Sequence, residues 1–164
     1  MSFQKQVKAN QALGNVGQIS KAHHSFLNVI PAIAADDFVK VGSFVQSSST
    51  ATNENEVITA SGKAITGSIL GVVVRDSLKV AGDSTPTLEV KKGENCAILT
   101  EGSIFIEVNA IAKKGQYVFL KTADGSLGFY NASTQSDYTY TGFRVSKGND
   151  TATAGLIEIT TARA

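Results

Sequence analysis

Apolar and polar residues alternate with a period of two along most of the chain. In residues 103–108, Ile104, Ile106 and Val108 fall on one face, because successive side chains of a β-strand point to opposite sides. Residues 69–74 are apolar on both faces, which is typical of a strand covered on two sides. Val and Ile dominate these runs, and their branched side chains favour strands. The pattern predicts many short strands.

Turn sequences that contain Gly separate these runs. Asp124-Gly125 stands between two alternating runs, and this dipeptide favours a tight hairpin because it tolerates positive φ. Residues 147–150 (Lys-Gly-Asn-Asp) separate two further runs, and Gly102 marks a bulge or a tight turn. Short strands at spacings of about ten residues predict an all-β fold, either an antiparallel β-sandwich or a barrel-like body.

The first 35 residues give a mixed pattern. Apolar residues with helix-like spacing precede Pro31, which would end a helix: Ile19, Ala22, Phe26, Leu27 and Ile30. Gly14 and Gly17 stand close before them, and the pair His23-His24 favours a helix only weakly. We therefore predict an extended N-terminal arm over residues 1–35, with a short helix as the alternative, followed by a single β domain over residues 36–164.

Composition adds a hint about partners. Charged residues make up only 18% of the 164 residues, so part of the exterior is expected to be covered by other molecules. The 15 basic and 14 acidic residues are scattered, which argues against nucleic acid, because phosphate binding needs concentrated Lys and Arg. No window approaches the roughly 20 apolar residues that span a bilayer, and the first residues lack the apolar stretch of a signal peptide. We expect no membrane partner and synthesis in a cytoplasm.

The chain offers no arrangement of reactive groups that is typical of an enzyme. Its two histidines, His23 and His24, are adjacent and point to different sides, so they cannot easily chelate one metal. No nucleophile motif accompanies them. The single Cys96 precedes an apolar run and is expected to be a buried, inert thiol. We expect no catalytic residue, no cofactor and no metal.

Two further patterns bear on binding. Glu89, Glu107 and Glu158 alternate with apolar residues, which is typical of a solvated strand face rather than of a catalytic carboxylate pair. The absence of Trp weakens the case for a carbohydrate module, although four tyrosines remain available for stacking: Tyr117, Tyr130, Tyr138 and Tyr140.

Short motifs follow one another along nearly the whole chain. They are Ser-Phe-Gln-Lys-Gln-Val (2–7), Ala-Leu-Gly-Asn-Val-Gly (12–17), Gly-Ser-Phe (42–44), Gly-Val-Val-Val-Arg (71–75), Gly-Ser-Ile-Phe-Ile-Glu-Val (102–108), Ala-Lys-Lys-Gly-Gln-Tyr-Val (112–118), and the closing segments 141–145 and 154–159. In this order they resemble the structural cement proteins of tailed bacteriophages, a family that decorates capsids. The family's arm carries an acidic stretch of small residues after its second Gly, where this chain has Gln18-Ile19-Ser20-Lys21.

The resemblance implies an all-β capsid decoration protein that is not an enzyme. It further implies a homotrimer that binds the major capsid protein on the outer surface of the phage head, across the seams between capsid subunits. Such a protein becomes part of the virion after synthesis in the cytoplasm of the bacterial host. The alternatives are another virion β protein, such as a head fibre, a tail-tube protein or a host-adhesion module, and a small β enzyme.

Four apolar residues of the arm are predicted to contact the capsid or a neighbouring subunit: Phe3, Val7, Leu13 and Val16. They precede the strand-rich body and have no period that would bury them in one sheet. The alternative is that they pack on their own domain.

Overall fold

The alternating runs form β-strands in the computed structural model, which describes residues 14–20, 27–48, 53–75, 88–149 and 155–161. Within these ranges there are twelve strands and no helix. The strands are β1 (Asn28–Ala34), β2 (Phe38–Lys40), β3 (Phe44–Ser47), β4 (Glu56–Thr59), β5 (Ile69–Val73), β6 (Glu89–Lys91), β7 (Asn95–Glu101), β8 (Ser103–Val108), β9 (Tyr117–Lys121), β10 (Leu127–Tyr130), β11 (Tyr138–Lys147) and β12 (Gly155–Thr161).

Five of the strands close into a barrel in the order β1-β4-β3-β5-β7. Five others form a second sheet in the order β10-β9-β11-β12-β8, and β2 pairs with β6 in a two-stranded ribbon. The pairs are antiparallel except for β1 with β4, which are parallel. The predicted all-β fold with a barrel-like body is confirmed.

The barrel strands β3, β5 and β7 separate two hydrophobic cores. In β5, Val72 belongs to the core between the barrel and the second sheet, whereas Val73 belongs to the core inside the barrel, and both are 0% exposed. Phe44 of β3 meets Phe143 of β11 across the first core, with ring centroids 5.7 Å apart. The strand covered on two sides that residues 69–74 predict is therefore present, because each face of β5 serves a different core.

The chain passes from the barrel to the second sheet at Gly102, between β7 and β8. Its φ of 130° lies in the region that favours glycine. Gly102 N donates to Thr161 Oγ1 (3.1 Å), and Gly102 O accepts from Thr161 N (3.0 Å). The predicted turn or bulge is thus a corner between the two sheets, and the end of β12 holds it.

Residues 14–20 run along the outer edge of β8. Phe105 N donates to Gln18 O (3.1 Å), Ser20 N donates to Ser103 O (2.8 Å), and Ile19 forms an antiparallel bridge with Ile104. The chain turns at Val16-Gly17, where Gln18 N donates to Asn15 O (3.0 Å), and residues 18–20 then run extended along β8. The arm over residues 1–35 as a whole stays a prediction. Residues 1–13 and 21–26 lie outside the described residues.

Pro31 lies inside β1, which is a barrel strand within the range predicted as the arm. Ile33 N and Ala35 N donate to carbonyl oxygens on the β4 side, and by alternation the nitrogen of Pro31 faces the same side. The pairing of β1 with β4 begins only at Ile33, so no acceptor strand lies opposite Pro31 there. Proline has no N–H to donate, and it is tolerated in a strand where the neighbouring strand is missing. In its described part, the segment with helical spacing is extended and not helical.

Candidate functional site

Gly17 joins the N-terminal segment to both layers of the fold. Its N donates to Phe105 O of β8 (2.8 Å), and its O accepts from Arg75 N just beyond β5 (2.8 Å). Its φ is 73°, and a Cβ at this position would collide with the side chain of Val41. Only glycine fits both the left-handed backbone and the close approach. The segment is therefore held where the second sheet meets the barrel.

A groove of ≈ 300 Å³ lies beside this crossing, and we call it the arm groove. Its lining residues are Val16, Lys40, Val41, Leu88, Glu89 and Glu107. Leu88 is exposed and Val16 is half-buried, so the groove presents apolar surface among three charged side chains. Phe38 lies two residues before Lys40 on the same face of β2 and is 57% exposed. The groove therefore presents a mixed apolar and charged surface next to the N-terminal segment.

The second candidate surface is a cluster of rings on the second sheet, which we call the aromatic face. Its members are Tyr117, Phe119, Tyr130, Tyr138 and Tyr140, and they include all four tyrosines of the chain. The β9–β10 hairpin predicted at Asp124-Gly125 is confirmed, and its register places Tyr130 opposite Tyr117. Strand β11 places Tyr140 opposite Phe119. Three neighbouring strands thus bring together rings that are distant in sequence.

The aromatic face lies on the side of the sheet away from the core. Val118 and Leu120 belong to the core between the sheets, so Tyr117 and Phe119 point to the opposite side. Phe119 is nevertheless only 1% exposed, because it packs against Tyr130 (5.7 Å between centroids) and against its other ring neighbours. Tyr140 is 36% exposed. The rings form an ordered layer around Phe119.

Arg144 is the cation of this face. Its guanidinium carbon lies 4.1 Å from the centroid of the Tyr117 ring, and Nη2 donates to Tyr117 Oη (2.5 Å). Burial raises the pKa of Tyr140, and the adjacent Arg144 guanidinium counteracts only part of that rise. No carboxylate among the described residues lies within 4.0 Å of Arg144. Tyrosine rings hold the guanidinium in place, and no carboxylate among the described residues neutralises its charge.

Of the four predicted contact residues, Val16 falls within the described part of the chain. It is half-buried and lines the arm groove, and its Cγ1 lies so close to Gly42 that a Cβ on Gly42 would collide with it. Phe3, Val7 and Leu13 lie outside the described residues. Their role as a contact surface stays a prediction.

Glu158 is where the structure corrects the predicted solvated face. It points away from its apolar neighbours, as alternation predicts, but it is 1% exposed. The reason is its position on the inner strand β12, opposite Phe105 of β8 on one side and Lys147 of β11 on the other. Glu107, on the edge strand β8, is exposed as predicted, and Glu89 is half-buried in the arm groove.

Reactive and metal-binding side chains were predicted to be few, and the described residues bear on part of that prediction. Cys96 is buried (8% exposed), as predicted, whereas His23 and His24 lie outside these residues. No group of three or more His, Cys, Asp or Glu side chains there could hold a metal ion. The same part of the chain has no helix long and apolar enough to cross a membrane.

The sequence profile of the structural cement protein family (E217 gp24/Pam3 gp6) matches residues 3–162. The chain belongs to this family of phage structural cement proteins. The cement protein is therefore a capsid-associated structural component of a phage virion and not an enzyme. No curated protein matches it.

The cement protein also resembles a chain in a solved structure entitled "The capsid of Myoviridae Phage XM1". The two chains are 15% identical, the TM-score is 0.62, and the alignment covers 98% of this chain and 97% of that one. At this identity the comparison shows a shared fold along almost the entire length.

The aromatic face is the surface that the sequence analysis did not predict. One signal for it was available, because an Asp124-Gly125 hairpin with a short loop places Tyr117 close to Tyr130 across the two strands. The approach of Tyr138, Tyr140 and Arg144 depends on the pairing of β11 with β9, which no local motif indicates.

Proposed function

We propose that this cement protein binds the outer surface of the phage head as a homotrimer, across the seams between major capsid subunits, and stabilises the shell. The observation that carries the proposal is the family match over residues 3–162. A protein that binds the assembled lattice and not its separated subunits stabilises that lattice by mass action, so no chemistry is required.

The layout of the subunit supports a bridging role. The N-terminal segment and the arm groove lie at the β8 edge of the second sheet, whereas the aromatic face lies on β9, β10 and β11 at the other edge. With strands about 4.8 Å apart, β11 lies two spacings and β9 three spacings from β8, so these surfaces are separated by roughly 10–14 Å. Two separate surfaces on one rigid sheet suit a protein that contacts two neighbours at once.

In a trimer, a modest affinity at each contact would be enough for stable attachment to the head. Linking three binding sites raises the overall affinity by ~10² or more when the geometry permits all three to engage. Sedimentation of the purified protein measures the oligomeric state directly, and a monomer at micromolar concentration contradicts this part of the proposal.

The direct test mixes the purified protein with undecorated heads. We expect saturable binding and a higher temperature or chaotrope concentration for the release of packaged DNA. Electron microscopy of the decorated heads should place the added density on the outside, over the seams. Heads that stay bare, or that gain no resistance, contradict the proposal.

We further propose that Phe3, Val7, Leu13 and Val16 contribute to the contact with the capsid or with a neighbouring subunit. Support comes from the half-buried position of Val16 in the arm groove, beside the exposed Leu88. Deleting residues 2–13 keeps Gly14–Ser20 and their hydrogen bonds to β8, so the body should stay folded. We expect lower occupancy on heads for this deletion and for Val16→Ser. Full occupancy by both folded variants contradicts the assignment.

A further inference from the structure

We propose that the aromatic face docks on the capsid and that Arg144 receives a carboxylate of the capsid protein at its centre. The inference rests on the proposed function and goes beyond it by naming the surface and the chemistry of its partner.

Arg144 has an uncompensated charge. It stacks on Tyr117 and donates to the Tyr117 hydroxyl, but both interactions leave the positive charge in place. Among the described residues no carboxylate lies within 4.0 Å of it, and its Nε is buried without a hydrogen-bond partner. Holding a guanidinium in this state costs stability in the free subunit, because a buried donor has lost its water. A feature that costs stability in isolation points to a role in a complex.

The guanidinium is also preorganised. Tyr117 holds it from β9, and Tyr140 lies close enough for the charge to act on its hydroxyl. Arginine loses rotamer freedom when it is immobilised at an interface, and that loss is avoided when the side chain is already fixed. A fixed guanidinium without a carboxylate partner can bind a carboxylate through charge-assisted hydrogen bonds from its Nη atoms.

The surrounding rings complete the features of an interface centre. Tyr and Arg are the residue types enriched where binding energy concentrates, and surrounding contacts exclude water from such a centre. The tyrosines pack edge to face, with interplanar angles of 71° for Tyr117–Tyr140 and 69° for Tyr130–Tyr138. Since the rings are fixed by one another, an approaching surface meets an ordered apolar layer around one cation.

A protein surface fits this layer better than a sugar does. Sugars stack on open ring faces, whereas the edge-to-face packing here covers ring faces with neighbouring edges. Tyr140 is 36% exposed, and the other tyrosines are half-buried. An acidic side chain with an apolar surround matches both the charge of Arg144 and the rings beside it.

The test measures the concentration of protein that half-saturates undecorated heads. We expect Arg144→Gln to raise this concentration by about 30-fold, the size of an interface hot spot. Arg144→Lys keeps the charge but loses the planar fork, so its loss should be smaller. Tyr140→Ala should also weaken binding, since it removes the most exposed ring. Added salt should weaken wild-type binding more than Arg144→Gln binding.

Matched controls use exposed residues outside the aromatic face. Ile111→Ala truncates an apolar residue that is 47% exposed, and Lys113→Gln removes an exposed charge. Both should bind within about 2-fold of the wild type. Thermal unfolding of each variant checks that the subunit is folded, and Tyr140→Ala provides a second route if Arg144→Gln unfolds.

The outcomes separate the two proposals. If the wild type saturates heads and Arg144→Gln and Tyr140→Ala do so at the same concentration, the aromatic face is not the docking surface, while the cement role stands. Equal losses in the controls overturn the assignment as well. If the aromatic-face variants bind heads normally but lose affinity for acidic glycans, the partner is a carbohydrate and the inference is wrong. A wild type that leaves heads bare overturns the proposed function and, with it, the partner named here.

Discussion

Gly17 and Gly42 lie backbone to backbone where the N-terminal segment crosses the barrel. A Cβ on Gly42 would lie 3.2 Å from Gly17 N and would collide with Val16, and both glycines have positive φ, 73° and 77°. Gly42 N donates to Val73 O of β5 (2.8 Å), so Gly42 belongs to the barrel side of the contact. The position of the segment therefore depends on the absence of side chains at this crossing.

We predict that Gly42→Ala displaces the N-terminal segment. Gly62 is the matched control, because its φ of 79° gives the same backbone strain but no atom lies within 4 Å of its Cβ position. Gly42→Ala should lower the free energy of unfolding by at least about 1 kcal/mol more than Gly62→Ala. Hydrogen exchange at the Phe105 and Ser20 amides should also become faster. Equal losses for the two variants would mean that the crossing is not tightly packed.

Gln46 holds the loop between β4 and β5, and we predict that Gln46→Met destabilises the barrel. The side chain is 0% exposed; Oε1 accepts from Thr66 N (2.8 Å) and Gly67 N (2.9 Å), and Nε2 donates to Ala64 O (3.0 Å). Methionine has similar size but leaves these backbone groups unpaired, at about 1–3 kcal/mol for each group that water cannot reach. We expect a loss of about 2–4 kcal/mol in urea unfolding.

Gln116→Met serves as the control for this prediction. The Oε1 of Gln116 accepts from Lys113 N (2.7 Å) in an exposed turn, where water can replace the lost bond. Its cost should stay near or below ~1 kcal/mol. Comparable losses at both positions would show that the Gln46 network contributes little.

The strands and hairpins could be predicted because they depend on local pattern. Ile69–Val73 and the Asp124-Gly125 hairpin follow from alternation and from turn chemistry, and both are present. The burial of Glu158 could not be predicted, because alternation gives the face of a strand but not what covers that face. The neighbours that bury Glu158 come from β8 and β11, which are distant in sequence.

The two candidate surfaces differ in the same way. Val16 was identified as an apolar residue ahead of the body, and the structure places it in the arm groove. The hairpin motif could bring Tyr117 and Tyr130 together, but the rest of the aromatic face depends on the pairing of β9 with β11, which no local motif indicates. Strand order in the second sheet follows from packing of the whole domain and not from any single segment.

We predict that Asp36 stabilises the protein in a pH-dependent way. Burial raises the pKa of Asp36, but the hydrogen bond from Thr59 N (2.7 Å) and the ion pair with Lys63 Nζ (2.9 Å) outweigh it and leave the pKa below the ordinary value of 3.8. A carboxyl group with a lowered pKa in the folded state adds stability above its unfolded pKa, and this stability is lost as the pH falls through the folded value.

Asp36→Asn should therefore cost about 1–2 kcal/mol at pH 7, and the difference from the wild type should shrink below pH 3.8. Asp37→Asn removes the neighbouring exposed charge, whose carboxylate has no ion-pair partner among the described residues, and should have little effect. The free energy of unfolding of the wild type and of the two variants is measured by urea unfolding from about pH 2.5 to about pH 7. A constant difference across this range would mean that the Asp36 charge does not contribute.

Glu158 and Lys147 should respond unequally to substitution. Glu158 is 1% exposed in its side chain and Lys147 is 56% exposed, with 3.5 Å between Lys147 Nζ and Glu158 Oε2. Lys147→Met removes the cation and leaves a buried carboxylate, so we expect a loss of about 1–3 kcal/mol. Glu158→Gln keeps the shape and removes the charge that must be buried, so it should be nearly neutral or stabilising. In the Glu158→Gln background, Lys147→Met should then cost little.

Lys121→Met is the control, because both partners of its ion pair with Asp124 are exposed, and the pair should contribute less than ~1 kcal/mol. If Glu158→Gln lowers the free energy of unfolding as much as Lys147→Met does, groups other than Lys147 stabilise the carboxylate. The cost of burying its charge would then not determine the effect of substitution.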